Sequence, residues 1–390
     1  MADKTILGYC CKERELKPMK DLEEVTLKNG RYAIRGEHMR VLIIGGTRRS
    51  GPYLVEELLS AGHSVVCLHR GQSNVAFSDH AEHIHGDRRN NAEFQERMAA
   101  VKADAVVDMI AGDAQDVQTV AQTFRGRIQR YICISSYEVY AAFEAAWNHT
   151  PSYQSVPIPE DAPKRKLTDL YGRERRYDKL LVEQEVMSAH DRGDFAVTLL
   201  RWPALYGPRD PTPREWYYVR QALDGRAKIA LPNGGQAIFP RGYLANMAHT
   251  VVLALENERA AGQAYNAADT EALSVRQIVE MIGGVLGHHW EIVSVPRELM
   301  PRVQQSQALP YSCDPYDIEP HLLLDLTKIK TEMGYRDLVP IRQALENTVR
   351  WLCDNRPQVD WLSVDYAALD EIINKAALGK VLIRAASEQK

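Results

Sequence analysis

The sequence predicts an α/β protein: a doubly wound parallel sheet followed by a smaller C-terminal α/β region. Three observations carry this reading. From Arg40 onward, short apolar runs alternate with amphipathic stretches of helical period for over a hundred residues. The first run enters a glycine-rich turn, Gly45-Gly46-Thr47-Arg48-Arg49-Ser50-Gly51, and helical pattern resumes at Pro52. After Trp202-Pro203 the chain is punctuated by Gly207-Pro-Arg-Asp-Pro-Thr-Pro213, and shorter elements follow. Alternation of this kind builds βαβ units whose helices cover both faces of a parallel sheet, a Rossmann-type arrangement.

Each element follows from its local pattern. Residues 41–44, 64–68, 82–85, 105–109, 131–135 and 195–201 read as strands, and 52–61, 92–101 and 114–124 as helices. Residues 141–168 carry several prolines and read as a long loop, a length that inside a domain usually marks function. Residues 169–191 read as one long helix. Further on, 244–255 and 274–286 have helical spacing, and 290–295 reads as a strand. The resulting division is an N-terminal extension (1–39), a Rossmann domain (40–205), a substrate-binding region (206–355) that sends elements back to the sheet, and a C-terminal extension (356–390). The amphipathic stretch 366–378 in that last part is expected to dock on the body or on a second subunit, as in a homodimer.

Composition narrows the functional classes. With 390 residues, 45% hydrophobic and 26% charged, the chain is an ordinary globular protein with room for a large core. Its net charge of −4 gives no electrostatic reason to expect a nucleic-acid partner. No run approaches the twenty or so apolar residues that span a bilayer, and the N-terminus lacks the apolar core of a signal peptide. Of six cysteines, Cys67 and Cys133 lie inside apolar strands, which favours reduced buried thiols and a cytoplasmic protein. The leader loosely resembles a small zinc ribbon with an Asn29-Gly30 hairpin turn. Adjacent Cys10 and Cys11 with His38 fall short of the two Cys-x-x-Cys pairs a ribbon needs, so no metal is expected.

The glycine turn predicts a dinucleotide site. At a helix start the first backbone amides lack partners and the helix dipole is positive, so a pyrophosphate is favoured there. Gly45 makes the sharp turn and Gly51 allows close packing of helix and strand, with Thr47 between them. Arg48 stands where the usual spacing has its middle glycine. A guanidinium there suits a phosphate through charge-assisted, paired hydrogen bonds. NAD-preferring sites usually place Asp or Glu about twenty residues beyond the turn, on the adenosine ribose. Eighteen residues past Gly51 this chain instead has His69, followed by Arg70. The expected cofactor is therefore NADP, clamped by Arg48 and Arg70, with NAD the alternative.

From Arg40 to about Cys353 the chain resembles the extended short-chain dehydrogenase/reductase superfamily in its NAD-dependent epimerase/dehydratase branch. The resemblance rests on an ordered set of landmarks: the Gly45 turn, Gly86-Asp87, Ala111-Gly112, Ser135-Ser136-Tyr-Glu-Val-Tyr140, Lys179…Glu183, and Leu200-Arg-Trp-Pro-Ala-Leu-Tyr-Gly-Pro208. Tyr265-Asn266 and the Asp325…Lys328…Gly334…Trp351 pattern continue it. It implies that Asp87 and Arg88 flank the adenine and that Ala111 borders the cofactor. It also implies that Ser136 holds a substrate oxygen and that Lys179 holds the nicotinamide ribose. The expected activity is hydride transfer at a carbonyl or alcohol of a small molecule. Epimerisation or dehydration through a transient ketone is the alternative within the family, and a scaffold that binds nucleotide or RNA is the alternative outside it. Proteins resembling chloroplast stem-loop RNA-binding proteins share the Gly-Gly-Thr-Arg turn.

Two departures stand out. The family's catalytic tyrosine sits four residues before its lysine, but here that position is Arg175. On a continuous helix Tyr177 is about 200° round from Lys179, and Tyr171 is about 80° round and roughly 12 Å along the axis. Tyr171 at the helix entrance is the expected substitute acid; a reaction without the usual proton step, or with a proton supplied by substrate, is the alternative. Second, nucleotide-sugar members tend to carry an arginine two residues before the place of Arg241, where it grips a diphosphate. Arg209, Arg214, Trp216 and Tyr217 are read equally as pocket lining or as surface.

Overall fold

The structure, a computed structural model, describes the chain except for residues 1–6, 11–14, 19–22, 27–31, 36–37, 74–79, 149, 151–153, 167, 169–175, 297–298, 300–320, 358–363 and 389–390. In the leader, β1 (Leu7–Cys10) pairs antiparallel with β2 (Glu15–Pro18), and β3 (Glu23–Thr26) with β4 (Tyr32–Arg35). The expected Asn29-Gly30 turn and the Cys10–Cys11 side chains lie outside the described residues.

The main sheet begins with β5 (Arg40–Ile44), β6 (Ser64–His69), β7 (Glu82–His85), β8 (Ala105–Asp108), β9 (Arg130–Ser136) and β10 (Ala196–Trp202). Short strands follow: β11 (Ala204–Tyr206), β12 (Lys228–Pro232), β13 (Arg241–Tyr243), β14 (Gln263–Asn266) and β15 (Glu291–Val295). Seven strands form one sheet in the order β14-β10-β9-β8-β5-β6-β7, all parallel. The chain winds one way from β5 through β6 to β7 and the other way from β8 outward. The crevice at the carboxyl ends of β5 and β8 is therefore the topological switch point, where ligands of such sheets bind.

Alternate residues of the central strands feed two cores. Val41, Ile43, Val65, Val107 and Ile132 pack with Leu54, Leu58, Met247 and Val251 from α1 (Gly51–Ala61) and α7 (Leu244–Leu255). Leu42, Ile44, Val66, Val106 and Tyr131 face α2 (Asn91–Met98), α3 (Ala114–Phe124) and α5 (Lys179–Asp191). Cys67 and Cys133 are free thiols buried one in each core, and burial pushes both up to about 12. A third core lies beyond β10, where α6 (Trp216–Leu223), α8 (Val275–Leu286) and α10 (Ile341–Asp354) pack with the parallel pair β12–β15. The last helix, α11 (Tyr366–Glu388), docks there through Leu369, Ile372 and Ile373. No helix among the described residues is long and apolar enough to cross a membrane.

Two expected elements differ. The stretch read as a loop from 141 opens with helix α4 (Ala141–Trp147), whose alanine-rich sequence favours helix. The helix expected over 169–191 starts at Lys179. Arg176 takes a left-handed φ of 47° and Asp178 is extended, its carboxylate accepting from the Leu180 and Leu181 amides at 2.9 and 3.5 Å. Asp satisfies free amides better as a cap than as an interior residue, so the helix begins after it.

Candidate active site

The glycine turn follows β5 at the switch point. Gly45 has φ +92°, and its amide donates to the Leu68 carbonyl at the end of β6, 3.0 Å away. A Cβ on Gly51 would lie 2.2 Å from the Gly46 carbonyl oxygen, so only glycine lets α1 start against the turn. In front of the turn opens a cavity of about 400 Å³. Gly45, Thr47, Arg48, Arg70, Asp87 and Arg88, all expected at the cofactor, line it together. Gly51 stands behind them at the helix start.

The side chains differ in what they offer this cavity. Arg48 is exposed, and its Nε donates to Ser73 Oγ at 3.1 Å. Arg70 is exposed at the end of β6, where His69 and Arg70 stand and no Asp or Glu is found among the described residues of that strand end. Arg88 borders the cavity, but its guanidinium is buried and donates to both Asp108 oxygens, at 2.9 and 2.6 Å, and to the Asp116 carbonyl at 2.8 Å. It builds the wall between β8 and α3. Ser73 and Ile110 were missing from the sequence-based set. Ile110, 48% exposed, presents apolar surface just past β8. Its signal is weak: one isoleucine outside the strand pattern.

These residues fit a dinucleotide: a helix start behind a glycine cradle, an apolar face and unburied guanidinium groups. A bound dinucleotide would set its pyrophosphate at the start of α1, with Arg48 and Arg70 available to its adenosine end.

The neighbouring strand ends hold the expected catalytic pair. Lys179 is buried, and its Nζ donates to the carbonyls of Ala111 and Ile134 at 2.6 and 2.7 Å, beside β8 and β9. One turn along the same helix face, Glu183 accepts from Ser135 Oγ at 2.7 Å and from Arg201 Nε and Nη2, both at 2.8 Å. Arg201 also donates to Tyr140 Oη at 2.9 Å, and that hydroxyl donates to Asn266 Oδ1 at 2.6 Å. This network ties α5, β9, β10 and β14 together and thereby fixes Lys179. Burial, against the pull of Arg201, raises Tyr140 to about 12. Ser136, half-buried at the end of β9, accepts the Glu138 amide at 3.3 Å. Tyr171 and Arg175 lie outside the described residues. Tyr177 precedes α5, so the helical angle that placed it opposite Lys179 does not apply. Its ring centroid is 5.5 Å from Lys179 Nζ.

On the substrate side Arg241 is buried between Tyr206 and Phe239 and ion-paired with the buried Glu215. Burial pushes its guanidinium down to about 10. Its guanidinium is already occupied by Glu215, which makes it a poor clamp for a diphosphate. Trp216 and Tyr217 belong to the third core, Arg214 is half-buried and donates to the Leu205 carbonyl at 3.3 Å, and Arg209 is exposed.

Sheet order, glycine cradle and lysine placement define a dinucleotide-binding protein of the extended short-chain dehydrogenase/reductase type. The family model described as "NAD dependent epimerase/dehydratase family" matches residues 41–268, and the chain belongs to that family. Among curated proteins it is 27% identical over 256 residues to the chloroplast stem-loop binding protein of 41 kDa b of Arabidopsis thaliana, covering 61% of either chain. It is 28% identical over 264 residues to the 2'-dehydrokanamycin reductase of Streptomyces kanamyceticus, covering 67% of this chain and 70% of that one. Among solved structures, an epimerase from Methanothermobacter thermautotrophicus superposes with TM-score 0.63 at 18% identity, over 82% of this chain and 93% of that one. The Bordetella bronchiseptica enzyme WbmG, in complex with NAD, gives TM-score 0.62 at 20% identity, over 82% and 96%. These structural likenesses are likenesses of fold.

Proposed function

We propose that the chain is an NADP(H)-dependent oxidoreductase acting on the carbonyl or alcohol of a small molecule. Residues 40–205 hold the cofactor in this reading, and 206–355 the substrate. The observation that carries it is the cavity where Arg48 and Arg70 converge with Ser73, with no acid at the end of β6. Two guanidinium groups suit a 2′-phosphate, and the missing carboxylate removes the repulsion it would meet. A bound nicotinamide supplies the hydride. The Ser136 hydroxyl orients the substrate oxygen, Lys179 holds the ribose, and a tyrosine at the entrance of α5, Tyr171 by its sequence pattern, gives the proton. Epimerisation or dehydration would use the same parts. Arg241, occupied by Glu215, supports a reductase over an enzyme of nucleotide-diphosphate sugars. Similarity to a stem-loop binding protein supports an RNA scaffold, and the net charge of −4 weighs against it.

Nicotinamide fluorescence and thermal shift with NADPH and NADH test the proposal. NADPH is expected to bind about tenfold tighter or more, a margin that Arg48→Ala and Arg70→Ala each remove, as loss of a charge-assisted hydrogen bond would. Equal affinities would sink the NADP assignment, and binding of neither cofactor would sink the enzymic reading.

A further inference from the structure

We infer that His69 is a positioning residue for the 2′-phosphate of the cofactor: its neutral ring, backed by His83, holds the turn that brings Arg70 and Ser73 to the cavity. The inference rests on the NADP reading above and deepens it. The turn leaves β6 at Arg70, and Gly71 sends it back with a left-handed φ of +72°. Its two ends are tied to different elements. The Gly71 amide donates to His69 Nδ1 at 3.0 Å. At the far end Ser73 Oγ accepts from Arg48 Nε at 3.1 Å and from Thr47 Oγ1 at 3.4 Å, both on the glycine turn. The strand end beneath is fixed as well, since the Gly86 amide donates to the His69 carbonyl at 3.0 Å. His69, Arg70, Gln72 and Ser73 all line the cavity, so the pin at Gly71 sets where the Arg70 side chain departs.

The bonds fix which nitrogen of His69 carries its proton. A backbone amide only donates, so Nδ1 must be bare, and a neutral imidazole then carries its proton on Nε2. Nε2 lies 3.0 Å from His83 Nδ1, which accepts from it. A second proton on His69 has only Nδ1 to go to, and there it would face the Gly71 N–H, donor against donor. The ring therefore holds the turn only while neutral. Its surroundings favour that form: burial first, then the His83 and His85 rings, keep it below the usual histidine range. Those two rings meet it nearly edge-on, with centroids 5.2 and 4.9 Å away. Around the cavity stand Arg48, Arg70 and Arg89, which oppose a further positive charge, and Asp87, which favours one. An alanine at this position would leave the Gly71 amide without its acceptor. Asparagine would not, because its Oδ1 stands where Nδ1 does and accepts from the amide two residues on.

Calorimetric binding of NADP+ and NAD+ at about pH 8, above the ordinary histidine value, tests the inference. In His69→Ala the ratio of the two affinities should fall about threefold to tenfold, the worth of one hydrogen bond. His69→Asn should keep the ratio within about twofold of wild type, since it keeps the acceptor. An unchanged ratio in His69→Ala, or an equal loss in His69→Asn, would overturn the inference. NMR titration of protein labelled at histidine Cε1 judges the ring without cofactor. The signal that His69→Asn removes should titrate below the ordinary value of about 6.5 and move up towards it in His83→Ala. Titration of that signal at or above about 6.5 in the wild type would also overturn the inference. Failure of the wild-type protein to bind either dinucleotide would instead defeat the NADP reading, and the titration would still judge the His69 ring separately.

Discussion

At the scale of single residues, Asp269 shows how a buried acid couples this fold to pH. It accepts from the Tyr206 hydroxyl at 2.8 Å, Asn246 Nδ2 at 2.9 Å and the Tyr243 amide at 3.0 Å. Burial nevertheless outweighs these bonds and raises its carboxyl from 3.8 to about 6. The folded protein therefore binds this proton more tightly than the unfolded chain. The stabilisation is present below about pH 4 and is lost as pH rises through about 6. Urea unfolding at a series of pH values should show wild-type stability falling across that window by up to about 3 kcal/mol relative to Asp269→Asn. Parallel curves would refute the assignment. Nothing at this position marks it in the sequence, because its burial comes from β11, β13 and α7 converging. Gly45, Gly51 and Lys179 were legible because a turn, a close approach and a four-residue helix interval are local matters. Arg88 lines the cavity as expected at the cofactor, but that Asp108, twenty residues away, holds its guanidinium is visible only in the fold.

At the scale of elements, the start of α5 decides where Tyr177 stands relative to Lys179. Helical period runs on through 169–178 in the sequence, and that continuity set Tyr177 on the wrong face. Asp178 ends the ambiguity by capping the helix and pairing with the buried Arg165. Asp178→Ala removes a cap worth about 1 kcal/mol and takes its carboxylate from the buried Arg165 guanidinium, at up to about 3–5 kcal/mol. Denaturant unfolding should show a loss within that combined range, and Asp178→Asn should recover the cap's share alone. A loss below about 1 kcal/mol in Asp178→Ala would show that the cap and the pair are not formed. The αL residue Arg176 and the contact of its carbonyl with Gly112 were beyond sequence reasoning, since both depend on two segments more than sixty residues apart.

At the scale of the whole molecule, α11 completes the third core. Leu369, Ile372 and Ile373 bury their side chains there, each worth about 1.5–3 kcal/mol. A chain ending at Pro357 should therefore show a clearly lowered Tm and increased binding of an apolar dye, roughly 5 kcal/mol being removed. An unchanged Tm would mean that the helix only rests on the surface. Its amphipathic period was visible in advance, but the choice between the body and a second subunit was not.

The sequence by itself determined the winding of the sheet, the glycine cradle, the helix that carries Lys179 and the family. Each follows from short-range period or spacing, which the backbone imposes wherever the segment lies. Only the tertiary structure decided which guanidinium faces the cavity, that Arg241 is answered by Glu215, and that Tyr177 meets Lys179. Those outcomes depend on where distant segments cross, and no local pattern encodes a crossing.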